Sequence, residues 1–342
     1  MPDTLKIPGR AFLAFPDMRG LLVSELVGRF GYGSFSDSAT IEGRTFVKEG
    51  AVWYGDLLYC PDFDDAVDES LRDENPYFSR ATMLEPCEIS FGSIGEGAAS
   101  LRAIQRNWAP YQYQLFRRAS LLQDKLPHIN LKVRKFPCEI PSSQMGLYTL
   151  IGEGRMIASA KTTSFLPAGR IEFEEDHENP PSRAYLKIQE SLTLFRTIFG
   201  RFPAPGEKCF EAGACPGGWT YVLRLLDTDV FAVDRAPLAE KLMNDSRVKF
   251  LAHDAFTLTP EYIEENFGRL DWLFSDVICY PERLLEWIRM WIDSGKVRNI
   301  VCTIKMQGEI DWTLMKEFRA LPSSRIVHLN YNKHELTILI SL

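Results

Sequence analysis

Phe210-Glu211-Ala212-Gly213-Ala214-Cys215-Pro216-Gly217-Gly218-Trp219-Thr220 is the stretch on which the fold turns. A buried-strand run, Lys208-Cys209-Phe210, ends in an acid. A glycine-rich turn follows, then a segment able to open a helix. A nucleotide-like ligand needs this local chemistry. Glycines let the backbone approach closely, and a new helix presents free N–H groups. The spacing is not G-x-G-x-x-G, which disfavours a nicotinamide or flavin dinucleotide. Asp234 closes the next hydrophobic strand, Val230-Phe231-Ala232-Val233. It stands about 20 residues on, where a carboxylate can hold ribose hydroxyls. Singly, the glycines describe an ordinary βα turn and Asp234 a cap. Jointly they suggest a doubly wound sheet that holds S-adenosylmethionine.

The chain has 342 residues, enough for two or three domains. Its net charge of −7 argues against a generally adhesive nucleic-acid binder, so any RNA contact has to come from a local basic face. The seven cysteines (Cys60, Cys87, Cys138, Cys209, Cys215, Cys279, Cys302) are scattered, and none forms C-x-x-C. No metal site and no disulfide framework is indicated, and reduced thiols in the cytoplasm are expected. The opening Met1-Pro2-Asp3-Thr4-Leu5-Lys6 lacks a signal-peptide pattern. No long uncharged apolar run predicts a membrane span.

The first half opens with a strand at Ala11–Phe15, then Pro16. A helix follows, on which Leu21, Leu22, Leu26 and Val27 share one face. Short strands are expected around Arg44–Val47 and Ala51–Tyr54, and residues 61–76 read as a solvated acidic helix and loop. Residues 100–135 carry Arg102, Arg106, Arg117, Arg118, Lys125, Lys132, Arg134 and Lys135 among Trp108, Tyr111, Tyr113 and Phe116. Such a stretch either contacts phosphates and stacks on unpaired bases, or is an amphipathic helix with a basic outer face. Residues 141–181 read as one or two strands and a linker ending near Pro181.

The second half alternates. Helices are predicted from Ser182, Gly217 and Pro237 and over Pro281–Ser294 and Glu309–Leu321. Strands are predicted at Lys208–Glu211, Val230–Asp234, Val248–Ala252, Asp271–Asp276 and Asn299–Lys305. The end reads as two strands, Ser324–Asn330 and Glu335–Ser341. The alternation predicts a mostly parallel sheet and the close terminal pair an antiparallel hairpin.

Acids recur at strand ends: Glu211, Asp234, Asp254 and Asp276. Ligands of open α/β sheets bind outside the carboxyl ends of the strands. Four acids there suit a ligand with a ribose, an exocyclic amine and a cationic amino-acid moiety. The methionine end is expected near Gly213–Gly218, the ribose at Asp234 and adenine near Asp254. Lys305 ends the apolar strand Ile300–Ile304. It is either a stem over the core edge with its head in water, or a site group. Taken alone, Lys187 is a plain helix lysine and Glu335 a plain surface acid.

The set Lys187, Asp276, Lys305 and Glu335 resembles the K-D-K-E tetrad of the FtsJ-type ribose 2′-O-methyltransferases. Among these it resembles those acting on a cytidine of bacterial large-subunit (23S) rRNA. The resemblance runs through Pro181-Ser182-Arg183, Leu186-Lys187, Gly213–Thr220, Ala232-Val233-Asp234 and Pro237. It continues through Asp271-Trp272, Ser275-Asp276-Val277, Ile304-Lys305-Met306 and His334-Glu335-Leu336-Thr337. It implies a Rossmann-like methyltransferase domain over 181–342. The implied cofactor contacts are Glu211, Gly213, Cys215, Pro216, Gly217, Gly218, Trp219, Asp234, Asp254 and Asp276. The implied proton acceptor is Lys305; in an alternative role Lys305 steers the hydroxyl by hydrogen bonding while the carboxylates take the proton. By order and length, 1–75 resembles the family's ferredoxin-like α+β opening, and 76–180 its THUMP-like RNA-binding region and linker. Ala184 stands where the family has a serine, Glu211 where it has Asp, and the family's basic tail is missing.

The expected function is therefore S-adenosylmethionine-dependent 2′-O-methylation of RNA, with 23S rRNA the expected partner and no membrane involved. The competing readings are a catalytically inactive RNA-binding paralogue and a methyltransferase for another RNA or for a small molecule. Oligomeric state is left open.

Overall fold

A computed structural model of the chain describes residues 3–32 and 50–342. The strand expected at Arg44–Val47 lies outside the described residues. The chain divides into two compact units, Met1–Val133 with Ile140–Glu172, and Arg134–Glu139 with Phe173–Leu342.

The first unit opens with β1 (Asp3–Lys6), β2 (Arg10–Ala14) and α1 (Arg19–Gly28). Then come β3 (Val52–Tyr54), β4 (Leu57–Cys60), a single turn α2 (Phe63–Ala66) and β5 (Ser79–Met83). It continues through β6 (Cys87–Ser90), α3 (Ile94–Ile104), β7 (Trp108–Pro110), α4 (Phe116–Gln123), β8 (Gly146–Gly152) and β9 (Arg155–Ser159). The strands form two sheets, ordered β3-β4-β2-β5 and β1-β6-β9-β8-β7, antiparallel except for the β7–β8 pair. This is the α+β arrangement expected. α3 starts at a reciprocal cap: Glu96 donates its N–H to Ser93, while its carboxylate accepts from the Ser93 N–H at 3.1 Å. In the basic–aromatic stretch, Trp108 is fully buried, and its indole N–H donates to the Leu101 carbonyl at 2.9 Å. Tyr111 and Tyr113 are half-buried, whereas Phe116, Arg102, Arg106 and Arg117 are exposed.

The second unit contains α5 (Tyr185–Phe199), β10 (Lys208–Ala212), α6 (Gly218–Leu225), β11 (Asp229–Asp234), a single turn α7 (Glu240–Met243) and β12 (Val248–Ala252). After these come α8 (Pro260–Phe267), β13 (Trp272–Ser275), α9 (Pro281–Ser294), β14 (Asn299–Ile304), α10 (Trp312–Arg319), β15 (Ser324–Val327) and β16 (Leu336–Ser341). One seven-stranded sheet results, ordered β12-β11-β10-β13-β14-β16-β15. It is parallel from β12 to β14, and β16 inserts antiparallel between β14 and β15. The expected mostly parallel sheet with a terminal antiparallel hairpin is thus present.

Strands covered on both faces read as continuous apolar runs. On one face Trp272 packs against Phe195 of α5 (ring centroids 4.8 Å apart) and Phe274 against Trp219 of α6 (6.2 Å). On the other, Phe210 meets Trp291 of α9 at 5.7 Å. Burying a side chain such as Phe210 stabilises the fold by about 1.5–3 kcal/mol. Two helices differ from the sequence reading. The one expected from Pro237 is the single turn α7, because Ala236 donates to the Asp234 carboxylate (3.1 Å) and Ala239 to the Pro216 carbonyl (3.0 Å), holding 235–239 as a turn. α8 was not expected. Thr259 caps it by accepting the Tyr262 N–H, and Pro260 fills its first turn. Among the described residues no helix is long and apolar enough to cross a membrane.

Candidate active site

The strand order reverses direction between β10 and β13, where open α/β sheets form their ligand crevice. The glycine-rich loop after β10 lies there. Gly213 has φ +78°, and a Cβ on it would stand 2.6 Å from Val277 Cγ2. A Cβ on Gly218 would stand 2.4 Å from Ser182 Oγ. Glycine therefore lets this loop press against the segment after β13 and the start of α5. The N–H groups of Gly213 and Ala214 donate to the Val233 carbonyl at 2.9 and 3.3 Å, tying the loop to β11.

A cleft of about 230 Å³ opens at these strand ends, lined by Gly213, Asp234, His253, Asp254, Phe256 and Val277 among others. The Asp234 carboxylate accepts N–H groups from Cys215 (3.0 Å) and Ala236 (3.1 Å), so it braces the loop as well as facing the cleft. Asp254 accepts the Phe256 N–H at 3.0 Å and is paired with Arg235 (3.1 Å) and Arg283 (3.5 Å). Burial pushes the Asp254 carboxyl up, but the Phe256 hydrogen bond and the two guanidiniums outweigh it, and it sits below the usual range. Glu211 lies elsewhere: it is 2% exposed and accepts from the Thr220 hydroxyl at 2.6 Å. Burial raises its carboxyl to about 8. Trp219 is buried against Phe274, Cys215 is half-buried and Pro216 is exposed. Sequence reasoning did not single out Arg235, His253, Ile278 or Arg283, all of which line the cleft. Turns beside strand-end acids were the available signal.

Beside this cleft the structure brings Lys187, Asp276, Lys305 and Glu335 together. Asp276 and Lys305 immediately follow β13 and β14, parallel neighbours in which Ser275 lies opposite Cys302. Glu335 immediately precedes β16, whose Leu336 pairs antiparallel with Ile304, so it emerges at the same sheet end. Lys187 projects from α5. Lys305 Nζ is 2.5 Å from Asp276 Oδ1 and 3.8 Å from Glu335 Oε1. Lys187 Nζ is bonded to Glu335 Oε1 and lies 3.8 Å from Asp276 Oδ2. The four side chains form a square of alternating charge, each 12–20% exposed. Burial pushes the Glu335 carboxyl up, but the Lys187 hydrogen bond and the charges of Lys187 and Lys305 outweigh it and hold it below its usual range. Val277, next to Asp276, lines the cleft, so the square and the cleft adjoin.

A family model for FtsJ-like methyltransferases matches residues 180–317, which contain the glycine-rich loop, the cleft and three corners of the square. The second unit carries an FtsJ-like methyltransferase domain. The FtsJ-like domain has named relatives. One, Ribosomal RNA large subunit methyltransferase M of Alkalilimnicola ehrlichii, is 34% identical over 168 residues, covering 46% of this chain and 45% of the relative. The protein of the same name from Salmonella agona is 29% identical over 155 residues, covering 45% of this chain and 40% of the relative. The matches thus span less than half the length of either relative. Among solved structures, the METTL16 methyltransferase domain aligns with a TM-score of 0.34 and 12% identity over 50% of this chain and 73% of that chain. That likeness is too slight to add to the argument for the FtsJ-like domain.

Proposed function

We propose that the protein is an S-adenosylmethionine-dependent 2′-O-ribose methyltransferase acting on large-subunit rRNA, with a cytidine of 23S rRNA as target. The observation that carries this reading is the alternating-charge square beside a cleft at the strand ends of an FtsJ-like domain. The names of the relatives support the RNA class.

The cleft suits the cofactor. Its glycine loop leaves no room for side chains, and its two acids match a ribose and an exocyclic adenine amine. Gly213, Cys215 and Gly217 would hold the methionine end, Asp234 the ribose and Asp254 the adenine. Glu211 would act from beneath, through Thr220 and the start of α6. When bound, the cofactor supplies an electrophilic methyl group carried on a sulfonium.

The chain's own residues do the remaining work. A ribose hydroxyl is a poor nucleophile until its proton is lost or shared. Lys305 Nζ, in its amine form, is the proposed acceptor of that proton. Asp276 and Glu335, 2.5 and 3.8 Å from Lys305 Nζ, would stabilise the ammonium that results. Holding the hydroxyl in line for attack supplies a further large part of the rate. The first unit is proposed to recruit RNA in the manner of a THUMP region, through the exposed arginines of residues 100–135.

Mapping ribose methylation across total RNA from cells with and without this protein tests the reading. A single large-subunit site that loses its methyl group is the expected result. Identical maps would overturn it.

A further inference from the structure

We propose that Glu190 is a positioning residue for the charge square: its buried carboxylate clamps the loop that carries Glu335 to the helix that carries Lys187. The inference rests on the reading of that square as methyl-transfer machinery.

Glu190 sits three residues after Lys187 on α5, so the two side chains leave neighbouring positions of one helix surface. It is 2% exposed, and its partners are the N–H groups of a loop rather than a cation. Oε1 accepts the Asn330 backbone N–H at 2.9 Å and the Asn330 side-chain amide at 2.8 Å. Oε2 accepts the Tyr331 N–H at 3.2 Å. A carboxylate is costly to bury, and three donors from one short segment offset that cost only while the segment stays in place. The clamp is therefore specific for one loop position.

The loop transmits that position to Glu335. Asn332 donates its amide to the Glu335 carbonyl at 3.0 Å and to the Thr337 hydroxyl at 3.2 Å. The Lys333 N–H donates to Glu335 Oε2 at 3.2 Å, leaving Oε1 for Lys187. A closed circuit results: Glu190 to Asn330 and Tyr331, through Asn332 to Glu335, across to Lys187, and back along one turn of α5. Two corners of the square come from segments far apart in sequence, and this circuit fixes their separation. Burial, opposed by those loop donors, raises the Glu190 carboxyl to about 7, in keeping with a site where a charge is held only by its hydrogen bonds.

The test is a two-residue cycle in the full chain, using large-subunit rRNA purified from cells that lack the protein. Wild type, Glu190→Gln, Glu335→Gln and the double variant are compared by single-turnover methyl transfer, with RNA KM and calorimetric cofactor affinity measured alongside. Glutamine keeps one acceptor oxygen but turns a donor toward the loop. Glu190→Gln is expected to lower the single-turnover rate about tenfold to a hundredfold, as a misplacement of reacting groups by up to about 1 Å does. KM for RNA and cofactor affinity should stay within about twofold. The double variant should be no slower than Glu335→Gln, because Glu190 acts through Glu335. If Glu335→Gln is too slow to measure, Glu335→Asp takes its place. An active wild type with an unaffected Glu190→Gln overturns the proposal, and so do multiplying effects in the double variant. A wild type that methylates no RNA overturns the functional reading and this inference with it.

Discussion

Lys305 Nζ lies 2.5 Å from Asp276 Oδ1, and the two residues leave the carboxyl ends of adjacent parallel strands. The pair is placed by sheet register rather than by a flexible loop, the arrangement that preorganised chemistry requires. Glu335, in the loop just before an antiparallel strand, and Lys187, on a helix, complete it.

Lys305→Ala is expected to lower methyl transfer by at least about a hundredfold, the usual worth of a positioned acid–base group. Cofactor affinity should hardly change, since Lys305 faces the acceptor side. Transfer of a labelled methyl group to rRNA and calorimetry with S-adenosylmethionine are the paired measurements. A variant with near-normal turnover would remove Lys305 from the chemistry.

Asp234→Ala is expected to weaken S-adenosylmethionine binding about tenfold or more, as loss of a charge-assisted contact does. The variant also frees the Cys215 and Ala236 N–H groups, loosening the glycine loop. Asp234→Asn keeps one acceptor oxygen and should fall between. Calorimetry orders the three proteins, and equal affinities would show that the ribose lies elsewhere.

Much of this site was legible because β11, β13 and β14 are buried on both faces and read as apolar runs, each closed or followed by a charged residue, Asp234, Asp276 or Lys305. The tetrad itself was legible only by resemblance, because nothing local links Lys187 to Glu335. Glu190 was invisible: an acid on a helix reads as solvated, and only tertiary packing buries it. α8 carried its own signals in Thr259-Pro260 and Gly268, but only Pro260 and Ile263 of it are buried, so its apolar periodicity is faint. In the first unit, the sequence could not show that Trp108 turns inward while Phe116 stays out. Both sit among arginines, and only the packing of β7 against β8 separates them.

Glu211 supplies a pH test. Its carboxyl is raised from 4.5 to about 8, chiefly by burial. The folded state therefore binds this proton more tightly than the unfolded state does. The resulting stabilisation is complete below about pH 4.5 and is lost as pH rises toward about 8, since unfolding free energy falls wherever the folded state holds the extra proton. Glu211→Gln mimics the neutral form and should flatten that part of the curve. Urea denaturation at several pH values between 5 and 9 checks it. A variant with the same slope as wild type would mean that another group titrates there.

The exposed arginines of the first unit give the last test. Arg102, Arg106 and Arg117 face solvent, whereas Arg118 is half-buried with its guanidinium 5.8 Å from the Phe91 ring centre. Replacing the exposed three by Gln should weaken RNA binding and reduce the slope of log affinity against log salt by up to about two, because fewer counterions are released. Arg118→Gln alone should lower thermal stability and leave the salt slope nearly unchanged, since that side chain packs as well as carries charge. Cofactor affinity should be the same in all of these proteins, as the cleft belongs to the second unit. Titrations at several salt concentrations with protein-free large-subunit rRNA separate the outcomes. A triple variant with wild-type affinity and slope would make the stretch a solvated helix face and move RNA recognition to residues 141–170 or to the methyltransferase domain.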